Sequence, residues 1–467
     1  MSRINILLIF LFLIITVFFS SCGLNTLPVS EEIKQESLSA VSVPENWHTD
    51  TIAGSVPGGW LKDFKDSQLE EIAKEALSNN PALQGAGAKL DRASAEAKLA
   101  GAALSPQLGV GGRGSNSAID GVNSAINSRG AGLTASWEID VWGRLRSQND
   151  SAKESYEGAR LDYDFARQSL VAAVAKAWFL NIELEHQKKL LKEQLYYYDE
   201  KIRIISARSK IGSIAYDQLF LEEADRLSVK ENYLKADNAS QQSARALEEL
   251  LGRYPAAEIT IKKELPKISK SVPAGLPSSL LERRPDTNAA ERRVRAAFRN
   301  VEAKKLARLP RIELTASTGV ASALSNITGS GAFFSVANNF FMPILDGGKI
   351  DAEIEIATAD QKAALAAYGA NALAAFREVE DLLSIEKLLS IQIQMLQSEM
   401  SQQKEALRIK TLEEQVGKAD KLDVLNLKLK INSTKTRLLS IESAQCSQRV
   451  NLYLALGGGF EENDNLQ

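Results

Sequence analysis

The chain has 467 residues, with 56 Lys and Arg against 59 Asp and Glu and a formal net charge of −3. That balance indicates neither a nucleic-acid partner nor a polybasic membrane-binding surface. Two cysteines and two histidines exclude a disulfide framework and leave little for a metal site.

Arg3 precedes an apolar run from Ile4 to Phe19, too short for a comfortable transmembrane helix. The run ends in Ser20-Ser21-Cys22-Gly23. Small residues before a cysteine resemble a bacterial lipobox, in which the chain is cut before the cysteine and lipid is added to it. This implies a lipoprotein signal peptide over 1–21 and an N-terminal diacylglyceride and palmitate on Cys22. An ordinary signal peptide with an incidental cysteine is the alternative. Gly23, not aspartate, follows the cysteine, which by the same resemblance points to the outer membrane. Acyl chains anchor a protein to a bilayer without spanning it. Residues 22–59 are polar and carry Pro28, Pro44 and Pro57. They read as an extended arm without a core of its own, pinned to the body by Trp47 and Trp60.

From residue 60 onward the chain repeats itself. Pro81 and Pro285 each open about 25 residues of small and charged helix formers that run to a second proline, Pro106 or Pro310. Proline at a first helical turn and again past the end is the punctuation of one helix. Gly143, Tyr163, Gly212 and Leu251-Gly252 are answered by Gly348, Tyr368, Gly417 and Leu456-Gly457, at offsets of about 204 to 206 residues. A long internal repeat fixes the architecture before any element is assigned. The organisation predicted is a first repeat over 60–252, a connector over 253–280, a second repeat over 281–457 and a tail over 458–467.

Within each repeat the helix gives way to strand period. In the first, Leu133, Ala135, Trp137, Ile139 and Val141 alternate with mostly polar neighbours. Strands are expected at 107–116 and 131–141, joined by a Ser-, Asn- and Gly-rich loop at 117–130. Their counterparts are 311–322 and 332–343, joined at 323–330. Each is about 10 to 12 residues, the length a tilted membrane strand needs. After the leader no apolar run reaches about 18 residues, so no helix is expected to span a bilayer. A membrane span must then be a closed barrel, because hydrocarbon does not tolerate an open sheet edge. Four strands per chain fall short of the roughly eight in the smallest bacterial barrels, so spanning demands an oligomer. A soluble four-stranded sheet capping a helical rod is the alternative.

From Arg144 to about Arg208 there is no proline and Gly158 is the only glycine. Such a helix would reach on the order of 100 Å at about 1.5 Å per residue. Leu184, Leu191, Leu195, Tyr198, Ile202 and Ile205 are heptad-spaced. So, in the second repeat, are Leu382, Ile385, Leu389, Ile393, Leu396 and Met400. That spacing imposes a left-handed supercoil on packed helices. The helices reverse at Gly212-Ser213-Ile214 and at Gly417-Lys418-Ala419-Asp420, where glycine ends the outgoing helix and Ser213 or Asp420 would cap the return.

Little of the chain reads as reactive chemistry. His48 and His186 are isolated, so each reads as a surface or packed histidine. Gly109 to Gly114 follows a strand but leads to a polar loop and not to a helix, so its context is wrong for nucleotide binding. Gly457-Gly458-Gly459 reads as a helix C-cap and Cys446 as a small buried residue. Glu378, Glu380 and Asp381 read as a charged helix face. No nucleophile–base set is visible, and the chain does not read as an enzyme.

Four motifs carry a resemblance: Trp137-Glu138-Ile139-Asp140-Val141-Trp142-Gly143-Arg144, Leu280-Leu281-Glu282-Arg283-Arg284-Pro285-Asp286, Ile344-Leu345-Asp346-Gly347-Gly348 and Leu456-Gly457-Gly458-Gly459. In this order they resemble the outer-membrane efflux proteins of the TolC family, and with the lipobox the OprM-like, NodT-type lipoprotein branch. The resemblance covers about 60–460. It implies a mainly α fold with membrane β: a duplicated, long α-helical barrel, with four strands per chain completing a twelve-stranded β-barrel in a homotrimer. It implies a passive exit duct of a tripartite efflux system in the outer membrane, reaching into the periplasm. Its partners would be a periplasmic adaptor and, through it, an inner-membrane pump, with no cofactor beyond the Cys22 lipid. The far turns, with Arg208, Gly212, Ser213, Gly417 and Lys418, would dock the adaptor. Asp420 and Asp423 would ring the periplasmic mouth, repelling one another across the threefold axis and favouring cations. Asn426 stands where some relatives carry a further aspartate. A periplasmic adaptor lipoprotein, also a helical hairpin with strands, is the competing reading, and a type I secretion duct a second variant.

Overall fold

The computed structural model describes residues 28–461, except 50, 53, 55, 57, 119–124, 260, 262, 269–271 and 325–327. The expected signal peptide and Cys22, and most of the tail, lie outside the described residues. The elements run α1 (Ser30–Ser37), α2 (Ser67–Asn79), α3 (Pro81–Ala102), β1 (Gln107–Ala118), β2 (Ala125–Ile139), α4 (Arg144–Lys210) and α5 (Tyr216–Leu250). There follow α6 (Pro277–Arg283), α7 (Pro285–Leu306), β3 (Arg311–Leu324), β4 (Thr328–Phe341), α8 (Lys349–Gln415) and α9 (Lys421–Ala455). The duplication is visible in the lengths: α3 and α7 have 22 residues each, α4 and α8 have 67, α5 and α9 have 35. The chain divides into two compact units.

The first unit comprises the described residues of Met1–Ser42, Ala88–Leu161 and Thr287–Asn371. It holds one antiparallel sheet in the order β1-β2-β3-β4. The strands run further than their composition suggested. Of the loops expected at 117–130 and 323–330, residues 117–118, 125–130, 323–324 and 328–330 are paired strand. Residues 119–124 and 325–327 lie outside the described residues. Small polar residues leave the backbone ladder free to continue, which composition alone does not reveal. Where the strands feed the long helices, Asp140 accepts from the Leu145 and Arg146 amides at 3.0 and 2.8 Å. Asp346 does the same for Gly348 and Ile350, at 3.0 and 2.9 Å. Acidic caps of this kind satisfy the free amides of a first helical turn. Gly143 and Gly348, at φ 87° and 85°, turn the chain into each helix.

The N-terminal arm is not wholly extended, contrary to the expectation. It forms α1, whose single buried apolar residue, Ile33, packs with Ala290, Val294 and Tyr368. Its start is closed locally: the Glu32 carboxylate accepts from the Val29 amide at 3.0 Å. Gly369 lets the arm approach, since a Cβ there would stand 2.9 Å from the Ser37 carbonyl oxygen.

The second unit comprises the described residues of Val43–Gly87, Asp162–Asp286 and Ala372–Gln467. Its core gathers Trp60, Leu69, Trp178, Phe179, Ile182, Leu247, Leu280, Leu452 and Leu456. Trp60, in a 3-10 turn, stacks on Tyr453 with ring centroids 5.8 Å apart. Trp47 donates to the Gly275 carbonyl at 3.0 Å, so both arm tryptophans are anchored. Asp66 caps α2 and also accepts from the buried Trp178 indole at 2.9 Å and from Lys263. Burial pushes its carboxyl up, but Lys263, Trp178 and the Leu69 amide outweigh that and hold it below the usual range. Along the long helices the heptad positions Leu184, Leu191, Ile205, Leu382, Leu389 and Leu396 are buried, whereas Ile385 is exposed.

The ends of the return helices repeat one construction. At the end of α5, Gly252 donates to the Glu249 carbonyl and Arg253 to that of Glu248; at the end of α9, Gly457 donates to Leu454 and Gly458 to Tyr453. This is the paired closure of a glycine-terminated helix. Asn80 Nδ2 then donates to the Leu250 carbonyl at 2.9 Å, and the Arg284 guanidinium to the Ala455 carbonyl at 3.0 Å. Each donor residue immediately precedes the proline that opens α3 or α7.

The residues set aside as unreactive are structural. His186 contacts the Lys263 carbonyl at 3.0 Å. Cys446 is buried, its thiol pushed up to about 12 by burial. Gly109 to Gly114 lies within β1. Glu380 is not merely a solvated face: it accepts from the His48 and Thr49 amides and the Thr49 hydroxyl.

The helix ends yield a graded prediction. A Cβ at Gly252 would lie 2.6 Å from the Asn79 carbonyl oxygen, and one at Gly457 2.9 Å from the Arg283 carbonyl, whereas Gly212 and Gly417 have open space around them. All four glycines have φ between 70° and 75°. Gly212→Ala and Gly417→Ala should each cost about 1 kcal/mol, the left-handed penalty alone. Gly252→Ala and Gly457→Ala should cost at least about 2–3 kcal/mol, because backbone must also move. Denaturant midpoints of the four variants check this; equal losses would refute it.

Candidate functional site

The sheet has two chemically different faces. Registered pairing puts Leu108, Val110, Leu133, Trp137, Leu314, Val320, Phe334, Val336 and Phe340 on one of them, and all are exposed. An uncovered apolar face of this extent needs a partner or a lipid phase. The other face carries Thr134, Ser136, Thr315, Ser317, Ser335 and Asn339. There the Ser317 and Ser335 hydroxyls bond across β3 and β4 at 2.9 Å. Alternation of apolar and polar, clearest over residues 133–139 and 312–316, is the pattern of a strand with lipid on one side and water on the other. Among the described residues both outer strands, β1 and β4, lack a neighbour on one side. Indoles fasten the strand ends: Trp137 donates to the Leu104 carbonyl at 3.0 Å and Trp142 to that of Pro310 at 2.7 Å. Arg144 holds Glu138 of the polar face at 2.7 Å.

In the second unit the two helix turns share one geometry. Gly212 donates to Ser209 and Ser213 to the Arg208 carbonyl; Gly417 donates to Glu414 and Lys418 to that of Glu413. Asp420 caps α9 and accepts from the Leu422 amide at 2.9 Å. Ser213 does not cap α5; the residue at that cap is Ala215, whose side chain cannot accept. Two residues, Ile214 and Ala215, separate Ser213 from Tyr216, the first helical residue, so its hydroxyl is placed too early.

The two turns are joined by an ion pair. Both terminal nitrogens of Arg208 donate to the Asp420 carboxylate, one of them at 3.0 Å. Hydrogen bonding to Arg208 is the main reason that the Asp420 carboxyl lies below the usual range, and the same bond raises Arg208. Within one chain Asp420 is therefore neutralised, the opposite of what ring repulsion between carboxylates would produce. Asp423 is exposed, one turn on, and the two aspartates face different surroundings. Beside the turns stand exposed apolar side chains: Ile211, Tyr216, Phe220 and Val416.

The residues expected at the turns are thus brought together in part. Arg208, Gly212, Gly417 and Asp420 belong to one construction, to which Ser213, Lys418 and Asp423 contribute backbone amides: Ser213 donates to Arg208, Lys418 to Glu413 and Asp423 to Asp420. The Arg208–Asp420 pair was not expected, for the partners are 212 residues apart and nothing local marks either one. The repeat does carry a trace of it: at an offset of 205, Arg208 answers to Glu413 and Asp420 to Ala215, so the pair can form once per chain and not twice. Among the described residues no group of three or more His, Cys, Asp or Glu is placed to hold a metal ion. None of the described helices is long and apolar enough to cross a membrane.

Comparison with known proteins agrees with this geometry. The family model described as "Outer membrane efflux protein" matches twice in succession, at residues 72–253 and 276–458. The chain is 29% identical to the pyoverdine export outer membrane protein OpmQ of Pseudomonas putida, over 90% of this chain and 93% of that protein. It is also 29% identical to the cation efflux system protein CusC of Escherichia coli, over 93% and 94%. Among solved structures it is similar to the open state of the Neisseria gonorrhoeae MtrE outer membrane channel, with a TM-score of 0.79, 27% identity and coverage of 91% and 98%. The fold is likewise that of the Campylobacter jejuni CmeC outer membrane channel, with a TM-score of 0.82, 22% identity and coverage of 91% and 95%. A two-part match spanning both repeats leaves the adaptor reading without support, and the chain belongs to the outer membrane efflux protein family.

Proposed function

We propose that three copies of this chain form a passive duct across the outer membrane, through which a tripartite efflux system discharges small molecules. The observation that carries this reading is the sheet: four antiparallel strands, apolar on one face and polar on the other, with both edges unpaired among the described residues. Hydrocarbon tolerates such a sheet only when it closes. Three copies pool twelve strands, four from each, which is a sufficient number for an aqueous channel. The polar face then lines the lumen and the apolar face meets lipid. No bond is made or broken, and the energy comes from a pump in the inner membrane.

The helix turns are the proposed periplasmic mouth. Their exposed Ile211, Tyr216 and Val416 suit docking by a periplasmic adaptor, and Arg208–Asp420 is a latch that holds the two turns of each subunit together. Two relatives of equal identity export pyoverdine and cations, so cargo choice fits the pump better than the duct. Lipid on Cys22 would hold the arm at the membrane.

Assembly and conduction test the core of this reading. Detergent-extracted protein should run as a heat-modifiable trimer and give ion currents in a planar bilayer. A monomer, or a trimer without conductance, would refute it. Cys22→Ala should lose incorporation of radiolabelled palmitate yet still assemble; unchanged labelling removes the lipid assignment.

The latch makes a separate prediction. A single exposed pair of this kind contributes little, and three copies acting together shift the open-to-closed ratio by about tenfold at most. Arg208→Ala should therefore raise leak through the resting channel by up to about tenfold. A folded-state carboxyl below its ordinary value contributes stability at higher pH and loses it as pH falls through the lowered value. Leak should thus stay flat from pH 8 to 5 and rise only below about pH 4. Single-channel recording checks both; a rise in leak between pH 7 and 5 would assign the gate to other groups.

A further inference from the structure

The polar face of the sheet is not uniform along its length. Reading registered rows across β1, β2, β3 and β4, one row is Gly109, Thr134, Ser317 and Ser335. The next is Gly111, Gly132, Gly319 and Phe333, and the one beyond it Arg113, Gly130, Ala321 and Gly331. Among the described residues of this face, Phe333 is the one large apolar residue away from a strand end: Phe341 closes β4 opposite Arg311, and Ile126 stands one residue from the start of β2.

Chain geometry explains why the row around Phe333 is otherwise bare. A Cβ at Gly132 would lie 2.4 Å from the Thr318 carbonyl oxygen, and one at Gly319 2.3 Å from that of Ala131. Neither position admits any side chain without moving backbone. The strands β2 and β3 pinch together at this level and present only main chain. Phe333 lies directly opposite Gly319 in register. An aromatic facing a strand glycine covers the surface that the missing side chain leaves open. Phe333 is accordingly 41% exposed, against 75% for Phe334 on the apolar face. Its exposed part stands above a floor of backbone, with Ser335 on one side along the strand and Gly331 on the other.

We infer that Phe333, one copy from each subunit, forms a phenyl collar at a single level of the lumen, which narrows the duct there and gives apolar and aromatic cargo a non-polar foothold among rows of polar side chains and bare backbone. This rests on the three-copy channel proposed above. Rings on a wet wall offer their faces to aromatic and cationic groups, and several act together on a permeant that touches more than one. A weak foothold suits a duct, since cargo must leave as readily as it enters.

The test uses the full-length channel in planar bilayers, with tetraphenylphosphonium added from the outer side as a blocking probe. Phe333→Ala should weaken the block about tenfold, while Phe333→Tyr, which keeps the ring, and Phe334→Ala, on the lipid side, leave it as in the native channel. Equal block in Phe333→Ala and native channels overturns the inference while leaving the duct intact. Absence of any native current removes the duct itself, and the collar with it. If Phe333→Ala does not assemble, Phe333→Cys and Phe334→Cys decide the matter by reaction with a charged methanethiosulfonate reagent. The buried Cys446 gives little background. Fast modification at 333 and slow at 334 is the expected result; the reverse order overturns the inference.

Discussion

The second unit is closed by two close approaches of main chain to main chain, one in each repeat. The last turn of α5 is brought against Asn79, and that of α9 against Arg283, at distances that only glycine allows. Gly252 and Gly457 supply a left-handed residue and the absence of a Cβ at the same point. Once the helix end is seated, its last carbonyl is within reach of the residue before the next proline. Proline opens the following helix and contributes no amide that would need a partner. The beginning and the end of each repeat are thereby fixed to each other.

The two copies of this joint have diverged in chemistry while keeping their geometry. Asn80 makes a neutral bond to Leu250 and caps α3 through the Leu83 amide. Arg284 makes the corresponding bond to Ala455 and adds ion pairs to Asp286 and Glu378. The same divergence put charge at one pair of turn positions, Arg208 and Asp420, where the mirror pair is Glu413 and Ala215. Duplication set the frame, and substitution within it made the halves unequal wherever a partner was needed.

The frame was legible in the sequence because its markers are local. Prolines, turn glycines and heptad leucines act within a few residues of themselves, and Pro81, Pro285, Gly212 and Gly417 fell at the ends they marked. The two-residue alternation in Leu133 to Ile139 marked a strand for the same reason, though it left a soluble sheet and a membrane barrel both open. Strand ends were less legible, since Ser117 and Gly130 carry turn composition but pair through backbone. The helix α1 was hidden because Ile33 alone gives it an apolar side, and that side has meaning only beside Tyr368. Arg208–Asp420 and the Glu380 contacts join residues hundreds of positions apart and leave no local trace. The row containing Phe333 required a register, which neither period nor composition supplies.

Gly369 has a consequence beyond packing. Its place in the first repeat is held by Asp164, at the offset of 205 that relates the halves. A residue with a Cβ there would meet the Ser37 carbonyl, so α1 can seat against the second repeat but not against the first in the same way. The duplicated halves, alike in the lengths of their helices, are therefore unlike in dress: one carries the N-terminal arm at this point and the other is left without that cover.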